Sequence, residues 1–370
     1  MKKLLITVMI LALTALSIGL LVACEPKNTQ EETYEIALIT DVGNIDDKSF
    51  NEGAWNGVKQ YAEGANKTYA YYRPSEDTTE ARVETIGNAI RNGAKVIVCP
   101  GYLFEEAVYA VQTQYPNVMF LLLDGEPHNA DYSDKKTESN VNCILYKEEQ
   151  SGYLAGYAAV MDGYRNLGFL GGMDVPAVVR FGHGYVQGAE AAAAELDLNP
   201  GDVTMKYWYS GVFWPTDDVA SKMSSWYTTG TDVVFACGGG VYLSAIDAAK
   251  TANKKMIGVD VDQYASTGND PVFISSAMKG LTASVVQALT SLYANGGTWN
   301  TERAGKTLHL GAAEGGVGLP TEGASWGFTT FTIAQYNALF AKLVDGTIVV
   351  NDAINVRPAT TLVAVTYEND

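Results

Sequence analysis

The sequence predicts an α/β protein of two doubly wound lobes, each a parallel sheet with helices on both faces. Three observations carry this. Short apolar, β-branched runs alternate with helical stretches of about 10–15 residues, the pattern of strand–helix–strand units around a buried parallel sheet. The alternation runs to about residue 146 and then begins again, so two blocks of similar size follow one another. The chain has 370 residues, and at roughly 150 residues per domain that fits two domains better than one. Hydrophobic residues make up 47% and charged residues 18%, enough for a packed core and unlike a disordered chain.

The first block opens with a strand over Tyr34 to Thr40 (YEIALIT) ending in Asp41-Val42-Gly43, then a helix from about Lys48 to Glu63. Lys67 to Arg73 is a second strand, and Asp77 to Asn92 a helix with Val83, Ile86 and Ile90 on one face. Lys95 to Cys99 is a third strand, followed by Pro100-Gly101 and a helix near Phe104 to Tyr115. Val118 to Leu123 is a fourth, ending in Asp124-Gly125, and Val141 to Tyr146 a fifth, leading into a helix over Lys147 to Met161. The second block repeats the scheme. Its strands are Leu167 to Leu170, Val203 to Tyr209, Asp232 to Cys237, Lys255 to Val259 and Val272 to Ala277. Its helices are Tyr185 to Leu196, Asp217 to Tyr227, one reaching Lys250, and a long one after Met278-Lys279-Gly280 to about Ala294. We expect a first lobe of residues 34–146 plus about 279–305, and a second of 147–278 plus about 306–370.

The amino terminus is a separate matter. Lys2 and Lys3 precede an apolar run from Leu4 that ends in Leu21-Val22-Ala23-Cys24. About 20 apolar residues can span a bilayer. The small-residue–Cys junction instead resembles the bacterial lipoprotein signal, in which the cysteine, here Cys24, receives a diacylglycerol and the preceding peptide is removed. On that resemblance residues 1–23 are a signal peptide, and residues 24–33 a lipidated cysteine with a polar tether (EPKNTQEE) that holds the body at the outer face of the membrane. The other cysteines, Cys99, Cys143 and Cys237, lie in apolar runs at spacings that match no zinc or redox motif, and read as small buried hydrophobes.

Charge narrows the function. With 25 Lys+Arg against 42 Asp+Glu, the formal charge is −17, which argues against a nucleic-acid partner because phosphate needs a basic face. Three widely spaced His make no His-rich metal site. No metal-ligand run is evident, and neither enzyme chemistry nor a cofactor is expected.

In open α/β sheets ligands bind beyond the carboxyl ends of the strands. Those ends carry TDVGNIDDKSFN (Thr40 to Asn51), LLDG with Asp124, YSGVFWPTDD (Tyr209 to Asp218), CGGG (Cys237 to Gly240), GVDVDQ (Gly258 to Gln263) and SSAMKG (Ser275 to Gly280). Carboxylates accept hydrogen bonds and can take two from a vicinal diol. Phe50 and Phe213 are placed to stack on two faces of a planar ring, and Gly238 to Gly240 would let backbone approach closely. Several acids and one lysine disfavour a phosphorylated ligand, so a nucleoside satisfies every group. Each residue also has a plainer role: Phe50 as core, Asp41 and Asp124 as caps of turns or helices, Lys279 as a solvated charge. A sugar-binding protein of the same fold, a nucleoside hydrolase and a surface antigen are the rival readings.

The segments TDVGNIDDKSFNEGAWNG (Thr40 to Gly57), FACGGG (Phe235 to Gly240), IGVDVDQ (Ile257 to Gln263) and SSAMKG resemble the basic membrane protein family, the PnrA-like purine-nucleoside-binding lipoproteins of bacterial ABC transporters. The resemblance implies a type I periplasmic-binding-protein fold with a multi-strand hinge, and a monomer that hands a purine nucleoside to permease and ATPase subunits. It implies that Phe50 stacks on the base while Asn51 and Asp41 bond its edge. Phe213 or the adjacent Trp214 would be the opposite wall. Asp124, Asp260 and Lys279 would hold the ribose, with Gly239 a close backbone contact. Asp47 and Asp262 belong to the motifs and serve either ligand or structure.

Overall fold

The computed structural model describes residues 33–369. The expected signal segment, Cys24 and tether residues 24–32 lie outside them. Among the described residues the strands form two sheets. In the first, β1 (Ile36–Ile39), β2 (Tyr69–Tyr72), β3 (Val96–Pro100), β4 (Met119–Leu123), β5 (Val141–Tyr146) and β11 (Lys306–Leu310) run in the order β11-β5-β4-β3-β1-β2, every pairing parallel. The second contains β6 (Asn166–Gly171), β7 (Val203–Tyr209), β8 (Val233–Cys237), β9 (Lys255–Asp260), β10 (Phe273–Lys279), β12 (Val317–Gly318) and β13 (Val363–Tyr367). Its order is β12-β10-β9-β8-β6-β7-β13, and only the β10–β12 pairing is antiparallel. Apart from the extra edge strand β13, the two orders correspond. β1 to β5 of one sheet match β6 to β10 of the other, so β3 answers to β8 and β4 to β9.

The central strands are buried along their whole length, as β1, β3, β4 and β8 show. That explains their continuous apolar sequence: a strand covered by helices on both faces has no polar side. In the first block the covering helices are α1 (Phe50–Gly64), α2 (Thr79–Arg91) and α3 (Glu105–Gln112). In the second they are α4 (Glu148–Met161), α5 (Pro176–Glu195), α6 (Asp217–Thr228) and α7 (Leu243–Thr251). The short α8 (Gln263–Ser266) follows β9, α9 (Leu281–Ala294) follows β10, and α10 (Ile333–Val344) lies near the carboxyl terminus.

The chain passes between the sheets three times: from β5 into α4, from β10 into α9, and from β11 to β12. α9 returns to pack on α1, while α4 packs on α5 and β10. The third passage falls later than the sequence suggests. Residues 306–310 were expected in the second lobe, yet β11 pairs with β5 in parallel register, Lys306 opposite Asn142. KTLHL is a half-exposed edge strand without the apolar run of its neighbours, so its sequence does not say which sheet it extends.

A second difference is the start of α5. The helix begins at Pro176, nine residues before the expected Tyr185. Pro176 suits a first helical turn, where its missing N–H has no partner to lose. Glycine within this helix serves packing. A Cβ on Gly184 would lie 2.0 Å from the Glu149 carbonyl oxygen, and one on Gly188 2.0 Å from that of Tyr153. Reciprocally, a Cβ on Gly152 or Gly156 would lie 2.1 Å from the carbonyl oxygens of Phe181 or Tyr185. The α4 and α5 backbones touch along these four glycines, which fixes Glu148 and Glu149 against the first turns of α5.

Cys99, Cys143 and Cys237 are buried and unpaired, as their apolar neighbourhoods suggest. No helix among the described residues is long and apolar enough to cross a membrane.

Candidate functional site

The carboxyl ends of both sheets face one cavity of about 690 Å³, the open solvent at its mouth included. Asp41, Phe50, Asn51, Asp124, Phe213, Gly239, Asp260 and Lys279 all line it. So do Asp47, Gly101, Tyr102, Val178, Phe181 and Cys237. Trp214 does not. It is 45% exposed and borders the wider vestibule outside, with Arg73, Asp46 and Leu243. Of the two candidates for the second aromatic wall, Phe213 is the one at the cavity.

Each wall is placed by its local backbone. Phe50 is the first residue of α1, entered from the loop after β1. Phe213 belongs to the loop between β7 and α6, and its carbonyl accepts from the Gly240 N–H at 2.8 Å. Its ring lies on glycines: a Cβ on Gly172 would sit 2.4 Å from Phe213 Cδ1, and one on Gly238 2.9 Å. Gly238, with φ 142°, also turns β8 into the short 3₁₀ helix Gly239–Tyr242, a conformation closed to most L residues. Gly101, with φ 109°, does the same after β3, the matching strand of the other sheet.

The acids at β4 and β9 share this correspondence. Asp124, just past β4, and Asp260, the last residue of β9, are both left-handed, with φ of 59° and 64°. Residues other than glycine take that conformation at a cost, and such strain clusters at ligand sites. Asp260 is 5% exposed and accepts a 2.6 Å hydrogen bond from Ser49 Oγ of the first lobe. Asp124 binds Lys279 through Oδ2, while its buried Oδ1 has no protein partner.

Lys279 is 5% exposed, so the solvated-charge reading of it fails. Besides Asp124, its ammonium lies 3.0 Å from Glu148 Oε1 and within 4.9, 5.4 and 5.5 Å of the Phe50, Tyr146 and Phe181 ring centres. Glu148 is fully buried and accepts from Arg180 Nε at 2.6 Å. Sequence reasoning missed Glu148 and Arg180. They sit inside helices with no motif around them, and only the hinge passage from β5 into α4 carries Glu148 to Lys279.

Asp41 Oδ1 accepts from the Gly43 N–H at 2.6 Å and from Asn51 Nδ2 at 2.7 Å. Asn51, itself buried, also donates to Asp47 Oδ2 at 3.1 Å. Both amide protons of Asn51 therefore hold neighbouring acids, and its oxygen faces the Asp41 N–H at 3.3 Å. Asp47 accepts from the backbone N–H groups of Ser49, Asn51 and Glu52 at 2.9 to 3.1 Å. It thus anchors the first turn of α1 as well as lining the cavity. Asp262 does not line it: its carboxylate caps α8 and accepts from Ser325.

Burial raises the carboxyls of Asp41 and Asp260 above the usual range, against the hydrogen bonds they receive. It pushes Asp47 up to about 7. Burial raises Asp124 too, to about 7, against the pull of Lys279. Glu148 goes the other way, because Lys279 and Arg180 together outweigh its desolvation. The cavity wall is therefore rich in hydrogen-bond acceptors, with one ammonium among them and an aromatic ring from each lobe. Such a surface suits an uncharged ligand that brings its own donors and a flat apolar face.

A family model described as "ABC transporter substrate-binding protein PnrA-like" matches residues 35–350. Among curated relatives, the ABC transporter nucleoside-binding protein BmpA of Lactococcus lactis subsp. cremoris is 28% identical over 284 residues, 71% of this chain and 75% of that protein. Basic membrane protein A1 of Borrelia garinii subsp. bavariensis is 29% identical over 323 residues, 86% of this chain and 88% of that one. Among solved structures, a solute-binding protein of an ABC transporter system from Aeropyrum pernix K1 superimposes with a TM-score of 0.72 at 21% identity, covering 86% of this chain and 94% of the other. One from Conexibacter woesei gives 0.67 at 20% identity, covering 86% and 99%. At such identity these two structures establish the shared fold, that of type I solute-binding proteins.

Proposed function

The chain belongs to the PnrA-like family of ABC transporter substrate-binding proteins, and from that premise we propose that it captures purine nucleosides between its lobes and delivers them to a membrane permease. Members of this family bind a substrate for a transporter and do not transform it. The observation that carries the nucleoside reading is the lining of the cavity: Phe50 and Phe213 come from opposite lobes, and Asp41, Asp124 and Asp260 share the space with a single lysine. In this reading the base lies between the rings, its edge meets Asp41 and Asn51, and the ribose hydroxyls donate to Asp124 and Asp260 beside Lys279. Gly239 provides a close backbone contact.

Asp260 bonded to Ser49, Asp124 bonded to Lys279, and Gln263 Nε2 donating to the Lys48 carbonyl at 3.0 Å all join elements of the two lobes. The closed arrangement thus depends on the acids that would receive the ligand, and a ligand that satisfies them favours closure. We place the protein on the outer face of a bacterial membrane, anchored by lipid on Cys24. The sequence supports that placement through its signal-like segment, and the family through its partnership with a membrane permease.

Calorimetry with inosine, guanosine, adenosine and ribose tests the assignment. Tight binding of at least one purine nucleoside and weak binding of ribose is the expected result. A protein that binds ribose and ignores every nucleoside would overturn it. Mass spectrometry of material that copurifies with the protein gives an independent answer.

A further inference from the structure

Four charges alternate in sign from the cavity into the second lobe, Asp124, Lys279, Glu148 and Arg180, with the inner two buried and the outer two partly so. Each sits on a different element, just past β4, at the end of β10, at the start of α4 and within α5. Glu148 and Lys279 flank passages of the chain between the lobes. Neither Glu148 nor Arg180 lines the cavity, so neither reaches a ligand directly. Yet Glu148 is fully buried, and removing such a carboxylate from water is tolerated only with partners in place.

The geometry divides one ammonium between two carboxylates. Lys279 faces Asp124 on the cavity side and Glu148 on the other, while Arg180 holds the far oxygen of Glu148. We propose that Glu148 and Arg180 are positioning residues, which set how much of the Lys279 charge reaches Asp124 and so keep Asp124 Oδ1 available to a ligand diol. This rests on the nucleoside reading above. If Glu148 is neutral, Lys279 acts undivided on Asp124. If Arg180 is neutral, Glu148 draws more of Lys279 and Asp124 takes up a proton more readily. A protonated carboxyl no longer accepts two hydroxyls as an anion does.

The other groups around these charges are the Tyr146 hydroxyl on β5, the Cys237 thiol on β8 and Asp260 on β9, which face Asp124 or Lys279 from the neighbouring strands, and Glu149 on α4, which acts on Glu148 and Arg180 and whose carboxyl burial pushes up to about 7. They are the same in every variant below. The direction agrees with the electrostatics of Asp124, where Lys279 and Arg180 lower its proton affinity and Glu148 raises it.

The test is a pH profile of adenosine affinity from about pH 5.5 to about pH 8.5, a range in which Asp residues with raised pKa titrate and the adenine base does not. Calorimetry on the full protein compares wild type, Glu148→Gln, Arg180→Gln and the double variant, with thermal melts to confirm folding. Affinity should fall on the acid side in wild type. Glu148→Gln should move that limb to lower pH and Arg180→Gln to higher pH. A displacement of about one pH unit changes affinity about tenfold on the acid limb, in opposite senses. The double variant should return towards wild type. Limbs that stay put, or move the same way in both single variants, would overturn the proposal. If Arg180→Gln does not fold, Glu148→Gln alone still decides, since Gln keeps the shape of the buried side chain.

A second measurement separates this from the nucleoside assignment. Carboxyl ¹³C titration of protein labelled at Asp Cγ, with no nucleoside added, follows Asp124 directly once its signal is identified by loss in Asp124→Asn. Opposite displacements there without adenosine binding would remove the nucleoside reading and leave the charge relay. Adenosine binding with an undisplaced Asp124 titration would remove the relay and leave the nucleoside reading.

Discussion

Replacing the two rings one at a time, with Trp214 as the contrast, separates a stacking site from an ordinary aromatic core. Phe50 and Phe213 line the cavity from different lobes, whereas Trp214 is 45% exposed outside it. Stacking of a base on an aromatic ring is worth about 1–3 kcal/mol by alanine replacement. At about 1.4 kcal/mol per tenfold, this predicts a loss of affinity of about 5- to 150-fold for each of Phe50→Ala and Phe213→Ala. Phe50 belongs at the upper end, because its ring also lies 4.9 Å from the Lys279 ammonium and its loss removes a cation–π contact that helps hold the charge in place. Phe213 belongs lower, since its ring rests on the backbone of Gly172 and Gly238. Trp214→Ala should change affinity less than about threefold, within the range of a contact remote from the ligand. Calorimetry with inosine reads all three, after melts confirm folding. Phe50→Ala and Phe213→Ala both within about threefold of wild type, or Trp214→Ala as damaging as Phe213→Ala, would refute the placement of the base.

The remaining predictions concern the acids and the helix pair. Asp260→Asn removes an anionic acceptor from a buried position, and should weaken nucleoside binding by about 10- to 150-fold in a titration, on the scale of a lost hydrogen bond to a charged group. Gly184→Ala would set a methyl 2.0 Å from the Glu149 carbonyl oxygen. Overpacking of that kind costs about 1–3 kcal/mol or more, so the melting temperature should drop by several degrees. Affinity should fall with it, because the same contact seats Glu148. Asp47 has its carboxyl raised to about 7 in the fold, against about 4 in an unfolded chain. The stability it lends is therefore complete below the lower value and is lost as pH rises through the higher one. Asp47→Asn should lower the melting temperature at every pH through its lost capping bonds. It should also narrow the wild-type difference between melts near pH 5 and pH 8, and an unchanged difference would count against the raised carboxyl.

Much of this architecture was legible because buried parallel strands announce themselves. Val96 to Cys99 and Met119 to Leu123 are apolar without interruption, and the strands lie where those runs lie. The punctuation after each strand was equally informative, since Asp41, Asp124, Gly239 and Asp260 all border the cavity. What escaped the sequence was what depends on partners. β11 carries too little apolar signal to reveal which sheet it joins. The start of α5 was hidden because nothing in the sequence shows that Gly184 and Gly188 pack against α4. Glu148 resembled any acid in a first helical turn, and only a contact across 131 positions of chain, to Lys279, shows otherwise.

The correspondence between the sheets explains why the site is built as it is. β4 and β9 occupy matching places, and each ends in an aspartate held at positive φ. β3 and β8 also match, and each ends in a glycine turn that brings backbone to the cavity. Facing lobes of this kind would give two equivalent acids meeting across a cleft, a repulsive arrangement in a dry space. The asymmetric elements relieve it. Lys279, at the end of β10, answers Asp124, and Ser49, before α1, answers Asp260. Asp124 and Asp260 thus each meet a donor from the other lobe's sequence block, whereas Asp41 and Asp47 are held within their own. Both contacts run between the two sheets, so the seating of Asp124 and Asp260 depends on how the lobes are spaced.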